Sequence, residues 1–297
     1  MKSLSELIPL AKQKSQKKVA VISAHDQPVL VAIKHAIELN LVTPVLIGNK
    51  SKVESLAHEI NLNLGGIPVI NEPDDHEAAK KAVALVKNGD AHLLMKGLIN
   101  TSTFLKAIIN KETGLKLTRM LSHFALMESK HYHKLIALTD VAMNIKPTFD
   151  EKVKIIQNAV QVFHNLGVEN PKVAVISPVE TVNEKIESTV HAAMLTLMNK
   201  RKQITGCSID GPLALDNAIS KEAAIHKSIE SEISGDVDIL MVPDLDSGNI
   251  LYKSMIYLGG ALTAAIITGA DVPIVLTSRS DSDESKLMSI ALAAALD

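Results

Sequence analysis

Tryptophan is absent from the 297 residues, and phenylalanine and tyrosine contribute only four and three. So few rings leave little for bases to stack on. With 31 basic residues against 33 acidic ones, the net charge of −2 offers no general attraction to a polyanion. Nucleic acid is therefore not an expected partner. The single cysteine, Cys207, excludes an internal disulfide framework and fits a reducing compartment. Met1 to Lys18 carry charges throughout and lack the apolar core of a signal peptide. The longest apolar stretches, such as Ile290 to Leu296, fall far short of the ~20 residues a membrane helix needs. A cytoplasmic chain without membrane contact is expected. No Gly-x-Gly-x-x-Gly follows a strand, no Cys/His cluster has zinc spacing and no Gly-x-Ser-x-Gly elbow appears, so no cofactor and no metal are expected. His131 and His133 lie in a polar turn, and Cys207 opens a buried strand where a thiol is inert.

What is present is an alternation. Short Val- and Ile-rich runs (Val19–Ser23, Pro44–Ile47, Pro68–Ile70, His92–Met95, Leu135–Leu138, Val173–Ile176, Cys207–Ile209, Ile239–Val242, Ile274–Leu276) are separated by amphipathic ones. The helical patterns include Pro28–Leu39, His76–Val86, Glu151–Leu166, Ser188–Asn199 and Ser285–Ala295. Strands apolar on both faces and spaced by helices read as mostly parallel sheet with helices on both faces, an α/β fold. The run Lys18-Val19-Ala20-Val21-Ile22-Ser23 recurs word for word at Lys172–Ser177. Any buried parallel strand can look like this; alternatively, each copy opens its own α/β domain.

Ligands of open α/β sheets bind beyond the carboxyl ends of the strands, where helix N-termini present their N–H groups. Four segments sit there. Met95–Thr103 ends a strand in Lys96-Gly97 and opens a helix that Thr101 or Ser102 can cap, which suits an anion or merely a capped helix with a solvated lysine. Leu138-Thr139-Asp140, followed by Asn144, places a carboxylate in a cleft or in an ordinary turn. Asp244–Lys253 leads into an apolar helix with Ser247 and Asn249 as caps and Tyr252-Lys253 one turn on. Leu276–Ser285 brings hydroxyls and Arg279 to a strand end, and a guanidinium matches the paired oxygens of a phosphate.

Together with Asp210-Gly211-Pro212-Leu213-Ala214-Leu215-Asp216, these stretches resemble the phosphate acetyl/butyryl transferase family in order and spacing, nearly end to end, and its butyryl branch in particular. The resemblance implies a two-domain subunit similar to the isocitrate and isopropylmalate dehydrogenases, with the active site in the cleft between domains. It pairs 1–139 with 263–297 as one domain and leaves 140–262 as the other. It also implies a homodimer or larger assembly, for which the apolar helix expected over Ile250–Leu262 is a candidate interface.

The implied reaction is reversible transfer of a short acyl group, butyryl or branched, between coenzyme A and inorganic phosphate, with coenzyme A as substrate and no covalent enzyme intermediate. Ser278 would bond the developing oxyanion and Arg279 the phosphate, with Lys96, Thr103, Lys106, Asn249 and Lys253 binding substrate. Lys106 stands where acetyl relatives carry a phosphate-binding arginine. The aspartate those relatives offer as base falls on Ser285, so Asp283 is the expected substitute and Asp281 the alternative. Acetyl transfer, or a non-catalytic relative that binds CoA or acyl phosphate, are the other readings. A decarboxylating dehydrogenase of the same architecture would need clustered aspartates and a nicotinamide site, which the sequence does not display.

Overall fold

The computed structural model describes residues 1–278 and 281–296. Its strands are β1 (Lys17–Ile22), β2 (Val42–Gly48), β3 (Val69–Asn71), β4 (Leu93–Lys96), β5 (Leu117–Glu128) and β6 (Ile136–Thr139). They continue with β7 (Lys172–Ile176), β8 (Ser208–Leu213), β9 (Ile239–Met241), β10 (Leu262–Ala270) and β11 (Ile274–Val275). The helices are α1 (Leu7–Gln13), α2 (Gln27–Glu38), α3 (Lys50–Glu59), α4 (Asp75–Lys87), α5 (Thr101–Ile108) and α6 (Phe149–Asn165). After them come α7 (Glu187–Lys200), α8 (Leu215–Ile219), α9 (Lys221–His226), α10 (Leu245–Tyr257) and α11 (Asp283–Ala295).

Two compact units divide the chain. One, here the N-terminal unit, comprises Ser5–Thr118 and Ala264–Asp297; the other, the central unit, comprises Met1–Leu4 and Arg119–Thr263. The expected division, 1–139 with 263–297 against 140–262, differs at Met1–Leu4 and Thr263 and chiefly in where it leaves residues 119–139. Those residues form most of β5 and all of β6, and β6 pairs with β9 of the central unit, Ala137 opposite Ile239.

In the N-terminal unit the strands run β3-β2-β1-β4-β11-β10, all parallel except β10, which lies antiparallel to β11. In the central unit the order is β8-β7-β9-β6-β5, again parallel until β5, antiparallel to β6. The two units thus repeat one pattern, and the echoed Lys-Val-Ala-Val-Ile-Ser run occupies the same place in each, as β1 and β7. Residues Val19–Ile22 are 0% exposed, as a strand with parallel neighbours on both sides requires. Helix α11, which carries Ala291–Ala295 into the core, returns the chain end to α1 and α2.

Two strands were not foreseen. β5 holds Arg119 and His123, and β10 sets its short Ile266-Ile267-Thr268 run among Ala and Gly, which are poor strand formers, so neither stands out as a strand. The apolar run Ile250–Leu262, expected as one helix, is helix only to Tyr257; Gly259-Gly260 breaks it and β10 begins at Leu262. No helix among the described residues is long and apolar enough to cross a membrane.

Candidate functional site

In the N-terminal unit β4 and β11 are parallel neighbours, Met95 opposite Val275, so Lys96 and the segment through Ser278 leave the sheet side by side. Ligands of open α/β sheets bind beyond such carboxyl ends. Lys96 is 5% exposed, and its amine donates to the Gly97 carbonyl at 3.2 Å. Gly97 must be glycine, because a Cβ there would stand 2.4 Å from the Ile22 carbonyl oxygen at the end of β1. Asn100, rather than the expected Thr101 or Ser102, caps α5 by accepting the Ser102 N–H at 2.9 Å. It is the residue with extended backbone (φ −65°, ψ 137°), whereas Thr101 already lies in the helix. The positive end of α5 adds to the anion preference of the site. Thr103 is half-buried in its first turn, and Lys106 is exposed one turn further on.

Thr277 is buried and Ser278 exposed. Arg279 lies outside the described residues. Asp281 and Ser278 are tied twice: Asp281 Oδ2 accepts the Ser278 N–H at 2.7 Å, and the Asp281 N–H donates to the Ser278 carbonyl at 3.2 Å. Burial pushes the Asp281 carboxyl up, against the opposing Ser278 N–H and the Lys286 charge. Ser282 caps α11 through Ser285, which is 5% exposed and whose hydroxyl accepts that of Ser282 at 3.2 Å. Asp283 is exposed in the first turn of α11.

The central unit repeats the arrangement at the ends of β6 and β9. Asp140 is 2% exposed, and its carboxylate accepts four donors: the N–H groups of His123, Ala142 and Met143, and the Asn144 side-chain amide at 2.6 Å. Its turn role is therefore real, and it holds the loop after β6. His123 is 4% exposed, its Nδ1 has no hydrogen-bond partner among the described residues, and its ring meets Tyr252 edge-on at 6.3 Å. Asp244, not Ser247 or Asn249, caps α10 by accepting the Ser247 N–H at 2.9 Å. Gly248 lets that helix approach closely, since a Cβ would lie 2.8 Å from the Asp140 carbonyl oxygen. Asn249 spends its amide on the Val141 carbonyl at 3.1 Å, while Lys253 is exposed. Asp210–Asp216 becomes strand edge and helix start, with Asp216 ion-paired to Lys227 at 2.9 Å.

The sequence-predicted residues thus fall into two sets, Lys96, Thr103, Lys106, Ser278, Asp281 and Asp283 in one unit and Asn249 and Lys253 in the other. His133, expected to be solvated, meets Asp236 at 3.0 Å while remaining largely exposed. No group of His, Cys, Asp or Glu among the described residues has a metal-holding arrangement. Sequence reasoning missed His123 and Lys286. The one signal for Lys286 was a lone cation in the Ala- and Ser-rich helix Asp283–Ala295; His123 lay in a strand that had itself gone unrecognised.

Known proteins resemble this chain along nearly its whole length. The family model described as phosphate acetyl/butaryl transferase matches residues 3–81 and 75–294. A phosphate butyryltransferase of Clostridium acetobutylicum is 46% identical over 294 residues, covering 99% of this chain and 98% of its own. The crystal structure of a branched-chain phosphotransacylase from Enterococcus faecalis V583 superposes with a TM-score of 0.84 at 36% identity, over 94% of this chain and 98% of that one. A putative 4-hydroxythreonine-4-phosphate dehydrogenase from Salmonella typhimurium shares the fold alone, with a TM-score of 0.59 at 15% identity over 96% of this chain and all of that one. With the family model matched over nearly the whole chain and identity sustained over the full length, the chain belongs to the phosphate acetyl/butyryl transferase family.

Proposed function

We propose that this chain catalyses the reversible transfer of a short acyl group, butyryl or branched, between coenzyme A and inorganic phosphate. The observation that carries the proposal is the adjacency of β4 and β11, whose parallel carboxyl ends lead to buried Lys96 and the N-terminus of α5 on one strand and to Ser278 on the other. A phosphate oxygen attacks the thioester carbonyl, the C–S bond breaks, and the thiolate leaves and takes up a proton. Phosphate is already a nucleophile, so the protein has to align the substrates, neutralise charge and stabilise the oxyanion. Ser278 donates to that oxyanion; Arg279, Lys96, Thr103 and Lys106 hold the phosphate; Asn249 and Lys253 bind substrate on the central unit. No prosthetic group is needed for these steps.

In the reverse direction the CoA thiol, of ordinary pKa ~8.5, must lose its proton. Asp281 has its carboxylate engaged by Ser278, and Ser285 has no basic group, which leaves exposed Asp283 as the base. A chain length of four carbons is favoured by the relatives' names, although each methylene discriminates by only ~1 kcal/mol.

The assembly in this reading is a homodimer or a larger homo-oligomer built from it, in the cytoplasm. Tyr257 and Leu258, 61% and 88% exposed at the end of α10, stand beside an apolar cavity of about 270 Å³ lined by Leu251, Met255, Leu215 and Ile219. A projection next to a hollow suits a two-fold contact, in which each copy fills the other.

Thiol release from acetyl-, butyryl- and isobutyryl-CoA, with and without phosphate, tests the activity in wild type, Ser278→Ala and Arg279→Ala. Phosphate-dependent release, fastest with a four-carbon chain, slowed by roughly 10²-fold in Ser278→Ala and lost in Arg279→Ala, supports the reaction and the site. A folded protein that releases no thiol from any acyl-CoA overturns it and leaves a binding protein.

A further inference from the structure

Helix α11 carries a charge that its surroundings do not call for. Lys286 is 1% exposed, in a helix whose other inward residues are Ser285, Met288, Ser289, Ile290 and a run of alanine and leucine. A methionine would fill such a place without desolvating an ammonium, and an ammonium is expensive to bury unless something compensates it. The amine donates to the main-chain carbonyl of Asp281. Asp281 in turn fixes both backbone polar groups of Ser278, accepting its N–H at 2.7 Å and donating to its carbonyl at 3.2 Å. The chain of contacts therefore runs from a buried cation on α11, through one aspartate, to the hydroxyl-bearing residue at the strand end.

We propose that Lys286 is a positioning residue: it holds Asp281, and through it the Ser278 turn, in the geometry that lets the Ser278 hydroxyl meet the acyl oxyanion. The inference rests on the acyl-transfer reading and on Ser278 as oxyanion donor. Lys286 itself touches neither substrate. Misplacing a single oxyanion donor is enough to slow acyl transfer greatly, because the donor acts only when held in register with the charge that develops. Substrate binding does not depend on that register, so the loss belongs in kcat.

The test is a double-mutant cycle on the intact chain, with kcat and KM for butyryl-CoA measured in wild type, Lys286→Met, Ser278→Ala and the double variant. Lys286→Met is expected to lower kcat by roughly tenfold or more with KM for butyryl-CoA within about twofold, since one oxyanion donor is worth ~10²-fold. The double variant is expected to be no slower than Ser278→Ala, within about twofold, because the lysine acts through that hydroxyl. A merely structural lysine would instead multiply its loss onto that of Ser278→Ala, and this outcome overturns the proposal. So does wild-type kcat in Lys286→Met. Circular dichroism checks that the variants fold; should Lys286→Met fold poorly, Asp281→Ala cuts the same chain of contacts and is judged by the same non-additivity. A wild-type enzyme that transfers no acyl group refutes the function itself, which is separable from an active wild type with additive variants.

Discussion

His123 and Asp140 are joined where their chain segments leave the sheet: the Asp140 Oδ2 lies 3.0 Å from the His123 backbone nitrogen, which donates to it across the end of the β5–β6 pair. The same carboxylate takes the N–H groups of Ala142 and Met143, each at 2.9 Å, so one side chain terminates the sheet and shapes the loop beyond it.

Removing that carboxylate leaves three backbone N–H groups without their acceptor and the Asn144 amide with only the Leu121 carbonyl. Asp140→Ala is expected to destabilise the protein by about 2–4 kcal/mol, the range for breaking a buried network. Asp140→Asn should cost less, because its amide oxygen still accepts. Urea unfolding followed by circular dichroism measures both; an unchanged midpoint in Asp140→Ala would refute the hub role.

His123 sets a pH dependence. Burial holds its imidazole below the ordinary value, with the Asp140 carboxylate opposing, and Tyr252 on α10 is the titratable group against its ring. The unfolded chain takes up this proton below about pH 6.5 while the folded one resists, so stability is present above that pH and is lost as pH falls, by at most ~1.4 kcal/mol per unit. Unfolding midpoints at about pH 7.5 and pH 5.5 should show a shallower acid loss in His123→Gln than in wild type. Equal slopes would mean that the imidazole charges freely in the fold.

Gly97 has no room for a side chain. A Cβ would meet the Ile22 and Ser23 carbonyl oxygens at 2.4 and 2.5 Å, both backbone, where Gly97 and Leu98 already donate to those same carbonyls. Gly97→Ala is expected to cost about 1–3 kcal/mol and to displace Lys96, with acyl transfer falling alongside. Calorimetry checks the first part. A melting temperature within about 2 °C of wild type would show that the turn yields.

Cys207 is 7% exposed, and burial pushes its thiol up to about 11. The native protein should therefore leave an aromatic disulfide reagent unreacted at about pH 8, and react with one equivalent only after unfolding. Rapid reaction in the native state would place the thiol at the surface.

Much of the fold was legible because its signal is local. Apolar runs such as Leu93–Met95 and Ile239–Met241 announce buried parallel strands by themselves, and the helical pattern of Glu151–Leu166 announces α6, although the capping box of Thr148 and Glu151 starts that helix at Phe149. Legibility failed where position depends on neighbours. Asn100 and Asp244 cap their helices in place of the hydroxyl residues beside them, since the cap is whichever residue the preceding strand delivers in extended backbone. β10 is a strand because β11 pairs with it, whatever its alanines prefer.

Order and spacing along the chain determined by themselves the α/β class, the family and the candidate anion segments at Lys96 and Ser278, since each rests on residues close in sequence. Which buried polar groups meet was decided only by the tertiary structure. Asp140 reaches His123 17 positions away, and α11 has to return from the chain end before Lys286 can lie under the Ser278 turn. A carboxylate or an ammonium has the same letter in sequence whether it is solvated or buried, and only packing removes the water that makes the difference.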